Sequence, residues 1–268
     1  MAGRSTTTVG TRRMDGDRSL PERLLGIWAH PDDECYLSAG LMARVVAAGG
    51  AVRLLCATAG ELGNPDRGLG DFESFGELRR GELAASLDVL GVTDLHMLGL
   101  GDGLCTAAAA DRQVDLLRRH IAEFEPDTVI TFGPDGITGH QDHLAVSSWS
   151  TAAVRPGDGA QLLYATMTRA HVERHRELHD SIGLFGERPE GRPAFVEEDG
   201  VALHCDLDDA ELDRKRRALA EHRSQTESLA AIVGEDRYRT WWQRETFRTP
   251  DPAEWAAARA RLEAEVPA

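Results

Sequence analysis

Two clusters of side chains in this sequence are of the types that bind metals and move protons. The run His-Pro-Asp-Asp-Glu occupies residues 30–34, and the run His-Gln-Asp-His occupies residues 140–143. A catalytic zinc ion typically takes three nitrogen or oxygen ligands from the protein and keeps one position open for water. His30, Asp33 and His143 supply two imidazoles and one carboxylate, and we predict that they hold Zn²⁺.

The spacing within each cluster supports this interpretation. Pro31 stiffens the turn, so that His30 and Asp33 can converge while the intervening aspartate projects elsewhere. His140 and His143 are three residues apart and share one face of a helical turn, so one can bind metal while the other faces a substrate. Asp142 is placed to hold the far nitrogen of a ligand histidine, as carboxylates do at many zinc sites.

Each cluster alone has a simpler explanation. An acidic pair directly after a strand is commonly a helix cap, and a His-x-x-His pair at a helix start is commonly a surface feature. The two clusters together favour metal catalysis, because both follow strands that the predicted sheet order places side by side.

That order comes from an alternation of apolar runs and amphipathic segments, which predicts repeated βαβ units. The expected fold is α/β, a Rossmann-like, mostly parallel sheet with helices on both faces and the strand order 3-2-1-4-5. Ligands of such sheets bind beyond the carboxyl ends of the strands, where the order reverses between strands one and four. The predicted strands are 24–29, 51–57, 94–98, 128–132 and 162–167, and the predicted helices are 34–48, 78–90, 111–124, 140–153, 208–224 and 252–264.

The domain organisation follows from the same pattern. Residues 1–20 are expected to form a disordered arm, and residues 21–268 one domain with a C-terminal helical extension from about 205. Residues 58–76 and 99–103 are rich in glycine and are predicted to be loops at the rim of the metal pocket, together with the segment 168–200.

Composition excludes several classes of function. The formal net charge of −15 argues against binding to nucleic acid or an anionic membrane. No apolar stretch reaches the roughly 18 residues of a membrane span. The four cysteines form no CxxC pair and are expected to be free thiols, and no apolar leader is seen. We therefore expect a cytoplasmic protein.

The motifs resemble those of the PIG-L/LmbE-like N-acetylglucosaminyl deacetylases, a family that includes the mycothiol and bacillithiol biosynthetic deacetylases and mycothiol conjugate amidase. The specific match is residues 29–34 with residues 140–143; residues 58–63, 79–91, 98–103 and 215–225 match less specifically. The resemblance covers roughly residues 24–226.

The resemblance implies roles for individual residues. It places zinc on His30, Asp33 and His143, gives Asp32 the role of general base, and assigns stabilisation of the oxyanion to His140. The hydroxyl groups of the sugar are expected to bind Glu61, Arg79 or Arg80, and Asp102. The expected reaction is hydrolysis of an N-acetyl group on a small GlcNAc-type sugar or conjugate; the alternative is a zinc amidase acting on a non-sugar or thiol-conjugate amide.

One position departs from the family pattern. Where characterised members carry a tyrosine that assists the carbonyl, this chain has Thr138, whose shorter side chain cannot reach as far. Either another tyrosine, such as Tyr36 or Tyr164, takes its place, or the substrate differs.

Two other groups of residues have open interpretations. His171, His175 and His179 recur every four residues, and the Arg and Glu between them favour a solvated helix face over a second metal site. Trp241, Trp242 and Trp255 indicate C-terminal packing, with the interface of a homo-oligomer as the alternative.

The sequence excludes one other class of protein and leaves a second one open. A phosphorylated receiver module needs an aspartate at the end of strand three and a lysine after strand five. The chain's single lysine is Lys215 in a C-terminal helix, which excludes that class. A sugar-binding protein without turnover stays open.

Overall fold

The computed structural model describes residues 20–63, 72–157, 159–188 and 194–265. The predicted disordered arm, except for residue 20, lies outside these ranges. No helix within them has the length and hydropathy needed to cross a membrane. The strands are Arg23–Trp28 (β1), Ala51–Thr58 (β2), Asp94–Leu100 (β3), Thr128–Phe132 (β4), Gln161–Thr166 (β5), Leu203–Asp206 (β6) and Arg244–Arg248 (β7). The helices are Asp33–Ala47 (α1), Phe72–Leu90 (α2), Ala110–Phe124 (α3), Gln141–Ala153 (α4), Arg169–Arg174 (α5), Arg176–Ile182 (α6), Asp209–Glu221 (α7), Arg223–Val233 (α8), Glu235–Trp241 (α9) and Pro252–Glu265 (α10).

Across the described residues, the strands form one sheet in the order β3-β2-β1-β4-β5-β7-β6. β1 to β5 pair in parallel, which confirms the predicted α/β class and the neighbouring positions of β1 and β4. β7 pairs antiparallel with both β5 and β6, an extension of the sheet that the sequence pattern did not predict. Helices α1, α2 and α7 pack against one another, and α3, α4 and α10 form a second group.

The central strands form because their side chains are apolar on both faces, as a parallel strand covered by two helical layers requires. In β1, Leu24, Leu25 and Trp28 are fully buried. The indole ring of Trp28 meets the ring of Phe132 at the end of β4 edge to face, with 4.9 Å between centroids. β1 and β4 are therefore held side by side, and their carboxyl ends open at one edge of the sheet.

Several predicted boundaries need correction. α2 begins at Phe72, well before the predicted start at residue 78, because Gly76 lies inside the helix although glycine is typical of a loop. β3 continues to Leu100, into the stretch predicted as a glycine-rich loop. The predicted helix over 208–224 is two helices, α7 and α8, that meet at His222.

The histidine-rich segment is also different from the prediction. It forms two short helices that meet at His175, and His175 and His179 are buried, so a solvated face is wrong for these two residues. Their rings and that of His171 lie 4.7 to 6.2 Å apart, centroid to centroid. The Nε1–H group of Trp241 donates to Nε2 of His179 at 2.9 Å. Among the described residues, these three histidines are not a set whose nitrogens converge on one point.

The C-terminal extension is anchored to α1 by a buried ion pair. The ammonium group of Lys215 donates to Oε1 of Glu245 and to the carbonyl oxygen of Tyr36, each at 2.7 Å. The Glu245 carboxylate also accepts from the backbone N–H groups of Gly40 and Leu41 at 2.7 and 2.9 Å. Since both side chains are about 1% exposed, the pair fixes α7 and β7 against the helix that carries Asp33.

Trp241 and Trp242 pack inside the chain, which confirms their predicted role in C-terminal packing. Trp241 is 1% exposed, and the two indole rings are 4.0 Å apart. Trp242 also lies against the ring of Tyr36 at 4.5 Å. Trp255 is half-buried against the same core.

Candidate metal centre and active site

The site forms where β1 and β4 end. The chain leaves β1 at Trp28 and turns through residues 29–32 into α1. It leaves β4 at Phe132 and passes through residues 133–140 into α4, where His140 occupies the N-cap position and accepts from the backbone N–H of Asp142 at 3.2 Å. The two predicted clusters therefore meet at one edge of the sheet.

The three predicted metal ligands converge. Nδ1 of His30 lies 3.1 Å from Nε2 of His143. The carboxylate of Asp33 places Oδ1 3.3 Å from His143 Nε2 and Oδ2 3.6 Å from His30 Nδ1. All three side chains are buried. The geometry thus gathers two imidazole nitrogens and a carboxylate around one small volume.

The protonated nitrogen of each ring can be inferred from its neighbours. Nδ1 of His143 lies 2.9 Å from the carbonyl oxygen of Gly136, so it carries the hydrogen and leaves a lone pair on Nε2. Nε2 of His30 lies 3.1 Å from Asp102 and 3.2 Å from Asp142, so it donates to the carboxylates, and Nδ1 is the nitrogen that faces His143 and Asp33. Two imidazole nitrogens and a carboxylate gathered around one volume are a donor set that suits a divalent cation. The residues present therefore fit the predicted metal.

The charges around the two rings are consistent with this. Burial lowers the pKa of His30, but hydrogen bonds to Asp102 and Asp142 outweigh it and raise that pKa well above its usual value. Burial lowers the pKa of His143 to about 4. Burial would raise the pKa of Asp33, but the neighbouring His143 and His30 hold it well below its usual range. The negative surroundings that favour a proton on His30 also favour a cation beside it.

Asp142 is held as the sequence predicted for a carboxylate behind a ligand histidine. It is fully buried, and besides His30 it accepts from the backbone N–H groups of Gly103 at 2.7 Å and Cys105 at 3.0 Å. Burial would raise its pKa, but these contacts lower it to about 2. Asp142 therefore stays ionised and fixes the orientation of the His30 ring.

Asp32 adopts an unusual backbone conformation. Its φ of 116° lies in the left-handed region, where residues other than glycine are uncommon. Its Oδ2 lies 3.4 Å from Nη2 of Arg79. Burial raises the pKa of Asp32 to about 6, against the opposing effect of Arg79. A carboxyl group with such a pKa can both accept and release a proton near neutral pH.

His140 lies close to both candidate ligand histidines. Its ring centroid is 4.7 Å from that of His30 and 5.2 Å from that of His143. One nitrogen of each of the three histidines lies within 4.8 Å of the other two. His140 is half-buried, whereas the other two are buried. Its Nδ1 accepts the capping hydrogen bond of α4, so in the neutral ring Nε2 carries the hydrogen and can donate it to a substrate.

The residues that the resemblance assigns to sugar binding hold the site together. Oδ2 of Asp102 accepts from the backbone N–H of Leu62, and Oε1 of Glu61 accepts from the backbone N–H of Asp102, each at 2.9 Å. These contacts join the loops after β2 and β3. Arg79, 4% exposed, donates to the carbonyl oxygens of Gly60 at 2.7 Å and Pro31 at 2.5 Å.

Arg80 and Thr138 take less part in this network. Arg80 is half-buried on α2 and, among the described residues, makes none of these contacts. The hydroxyl group of Thr138 is 3.4 Å from Nδ1 of His143 and accepts from the backbone N–H of His140 at the same distance.

The two tyrosines considered as substitutes for the family tyrosine differ sharply in exposure. Tyr164 is fully buried, and its hydroxyl group is 2.6 Å from that of Thr151, so it is closed off from a substrate. Tyr36 is half-buried, and its hydroxyl group meets that of Tyr238 at 3.2 Å.

The sequence did not predict the contact between Glu34 and His222, which lies beside the turn after β1. Glu34 and His222 are fully buried, and Nε2 of His222 lies 3.0 Å from Oε1 of Glu34. In the sequence, Glu34 is the last residue of the His-Pro-Asp-Asp-Glu run and carries no signal for a partner. The signal for His222 was the run His-Arg-Ser-Gln at residues 222–225, which matched the family but suggested no contact.

Comparison with known proteins gives consistent matches. The profile of the PIG-L family, described as GlcNAc-PI de-N-acetylase, matches residues 25–154. A 1D-myo-inositol 2-acetamido-2-deoxy-alpha-D-glucopyranoside deacetylase of Corynebacterium glutamicum (strain R) is 32% identical over 226 residues, which cover 76% of this chain and 74% of the relative.

Solved structures show the same fold at lower identity. The N,N'-diacetylchitobiose deacetylase of Pyrococcus horikoshii superimposes with a TM-score of 0.59 and 21% identity, over 86% of this chain and 84% of that one. The zinc-inhibited form of a teicoplanin deacetylase gives a TM-score of 0.57 and 17% identity, over 81% and 89% of the two chains. Because the match to the Corynebacterium enzyme extends over most of both sequences, the chain belongs to the PIG-L family.

Proposed function

We propose that this protein hydrolyses the N-acetyl group of a small GlcNAc-type sugar or sugar conjugate, with Zn²⁺ held by His30, Asp33 and His143. The observation that carries the proposal is the convergence of two imidazole nitrogens and one carboxylate, with 3.1 to 3.6 Å between the donor atoms. Family membership supports the reaction class, because the matched profile is named for a de-N-acetylase.

A zinc ion bound by these residues would polarise the amide carbonyl and lower the pKa of a water molecule. Asp32 is proposed to accept the proton of the attacking water as the C–O bond forms. It then returns that proton to the amine as the C–N bond breaks, which releases acetate and the free amino sugar. The guanidinium group of Arg79, 3.4 Å from Asp32, favours the ionised carboxylate before each cycle. His140 is proposed to stabilise the negative charge that develops on the carbonyl oxygen.

The substrate class rests on the relatives. The Corynebacterium enzyme is named for an N-acetylated glucosaminide of inositol, and the Pyrococcus enzyme for N,N'-diacetylchitobiose. Glu61, Arg79, Arg80 and Asp102 are proposed to contact sugar hydroxyl groups. Since Asp102 already accepts from Leu62 and contacts His30, we propose that it does so while holding the ring of His30 in place.

The test is acetate release by protein stripped with a chelator and reloaded with one divalent metal at a time. N-acetylglucosamine, diacetylchitobiose and an N-acetylglucosaminyl-inositol form one set of substrates, and N-acetylcysteine conjugates form the second. We expect activity on the sugar set that depends on added metal. Zinc is supplied both at one equivalent and in excess, because a fold relative is described in a zinc-inhibited form.

The two substrate sets separate the proposal from its alternative. Activity confined to the non-sugar amides would establish a zinc amidase and disprove sugar deacetylation. The presence of Thr138 in place of the family tyrosine is the observation that favours this alternative. Binding of the sugars without acetate release, at any metal loading, would indicate a sugar-binding protein.

A further inference from the structure

The turn that carries Asp32 needs support from outside itself. A residue other than glycine in the left-handed region is strained and persists only where its surroundings hold it. The φ and ψ of Asp32 are 116° and −29°. The backbone N–H of Asp32 donates to Oε2 of Glu34 at 3.0 Å. The carboxylate of Glu34 therefore holds the backbone of the residue that we propose as the base.

Glu34 is in turn held by His222. Both side chains are 0% exposed, and Nε2 of His222 lies 3.0 Å from Oε1 of Glu34. A carboxylate so deeply buried is costly unless each oxygen has a donor. The backbone of Asp32 supplies the donor to one oxygen, and His222 supplies the donor to the other. Without His222, Glu34 would be free to rotate towards another donor and release the Asp32 backbone.

His222 belongs to the junction between α7 and α8, which also contacts α2. The junction between α7 and α8 comprises residues 222–225. Within it, Ser224 donates through its backbone N–H and its hydroxyl group to the two oxygens of Glu82, at 2.8 and 2.6 Å. Glu82 lies on α2 three residues after Arg79, whose guanidinium group faces the Asp32 carboxylate. The junction thus braces both the backbone turn of Asp32 and the helix that carries its ionic partner.

We propose that His222 is a positioning residue for Asp32: through Glu34 it fixes the left-handed turn and so directs the carboxylate that accepts the proton. The C-terminal extension would then set the geometry of a catalytic group that lies on the first βα turn. This inference rests on the proposed function, because it concerns the base of that reaction.

The test compares two substitutions at His222 with one at Thr226, the residue that follows the junction. His222→Leu removes the donor, His222→Gln offers an amide N–H in its place, and Thr226→Val changes a buried residue that bonds to Leu219 and to the backbone of His222 but does not touch Glu34. We expect His222→Leu to lower kcat by about tenfold to 100-fold, as misplacement of a catalytic group by about 1 Å does. KM and metal stoichiometry should stay unchanged. His222→Gln should recover most of the rate, and Thr226→Val should keep it.

A double-substitution cycle separates positioning from general damage. If His222 acts through Asp32, then His222→Leu should lower kcat by less than about twofold in an Asp32→Asn background, because residues that act as a unit are not additive. An equal loss in both backgrounds would overturn the proposal. If His222→Leu does not fold, Glu34→Gln, which keeps the side-chain size, takes its place in the same cycle, and an unchanged kcat there would also overturn it.

A second readout does not depend on turnover. The backbone amide of Asp32 bonds to a carboxylate, so its ¹⁵N–¹H resonance should shift and its hydrogen exchange should accelerate in Glu34→Gln and in His222→Leu. An amide of Asp32 that is unaffected in both variants would disprove the link through Glu34. If the unmodified protein releases no acetate from any amide, the proposed function fails, and the behaviour of this amide still decides whether His222 holds the turn.

Discussion

At His30 and His143, the protonated nitrogen of each ring is fixed by a neighbour outside the cluster of donor atoms. Gly136 fixes one ring through its carbonyl oxygen, and Asp102 and Asp142 fix the other through their carboxylates. This arrangement is the one that the proposed metal site requires. The sequence predicted the converging residues, but the part played by a backbone carbonyl could not be predicted from residue types.

The ligand assignment is tested by His143→Ala. Its loss leaves one imidazole and one carboxylate, too few ligands for tight binding of zinc, so metal content should fall from about one equivalent to a small fraction. His140→Ala should keep its metal but lose rate, largely in kcat. Metal content is measured by metal analysis of purified, dialysed protein, and kcat is measured by acetate release.

Thr138→Val is the matched control for this pair of variants. Its hydroxyl group lies 3.4 Å from His143 Nδ1, farther than the Gly136 carbonyl oxygen at 2.9 Å, so its removal should leave metal content unchanged. Full metal content in His143→Ala would show the assignment to be wrong. Loss of metal in His140→Ala would make His140 a ligand instead.

The role of Asp32 gives a second prediction at this scale. Asp32→Asn keeps the size of the side chain and leaves the three proposed ligands untouched, so metal content should not change. The variant cannot accept the proton from water, and kcat should fall by about 10²–10⁴-fold. Parallel measurements of kcat and metal stoichiometry check this, and near-normal turnover would transfer the role of base to another group.

At the scale of helices and strands, a buried ion pair between Lys215 and Glu245 binds the C-terminal extension to α1. Lys215→Met removes the ammonium group and leaves the Glu245 carboxylate buried with only the N–H donors of Gly40 and Leu41. Removing one partner of a buried pair typically costs about 3–5 kcal/mol. We expect a loss of that size in the free energy of unfolding, measured by urea denaturation.

Arg216→Met is the control for Lys215→Met. Arg216 follows Lys215 in α7, and its side chain is 31% exposed. Ion pairs at the surface contribute at most about 1 kcal/mol to the free energy of unfolding. Equal losses in the two variants would show that the buried pair adds nothing beyond the removal of a charge from α7.

The same elements show where sequence reasoning reached its limit. Strands β1, β2 and β4 are mostly apolar, and for these three the predicted and observed bounds differ by at most one residue at each end. β6 and β7 carry charged residues such as Asp206, Arg244 and Glu245 and have no such signal. Glu245 looks like a surface residue in the sequence, and only its long-range pairing with Lys215 makes it part of the core.

Across the whole molecule, the extension is part of the site's support. His222 and Ser224 reach the first βα turn and α2, although they are far from both in sequence. Contacts of that kind depend on how α7 and α8 pack, which neither periodicity nor residue type encodes locally. The convergence of His30 and His143 was predictable for the opposite reason, because the topology of a parallel sheet brings the ends of neighbouring strands together.

A buried histidine of α6, His179, predicts how stability depends on pH. His179 is 2% exposed, and it lies against the rings of His171, His175, Phe185 and Trp241, with Asp180 next to it in the chain. Burial and, to a smaller extent, the neighbouring His175 lower its pKa to about 4, while the unfolded chain keeps the ordinary value of about 6.5.

Below pH 6.5 the unfolded state therefore binds a proton at His179 that the folded state does not. The stability that this histidine contributes is present above pH 6.5 and is lost as the pH falls from there towards 4. Between pH 7.5 and 5.5 this residue alone should lower the free energy of unfolding by about 1.3 kcal/mol.

His179→Gln keeps an acceptor for the Trp241 N–H group but cannot be protonated. Urea unfolding of both proteins across this range should give a flatter pH dependence for the variant by that amount. Because every other titrating group is common to the two proteins, equal slopes would mean that His179 can take up a proton in the folded state.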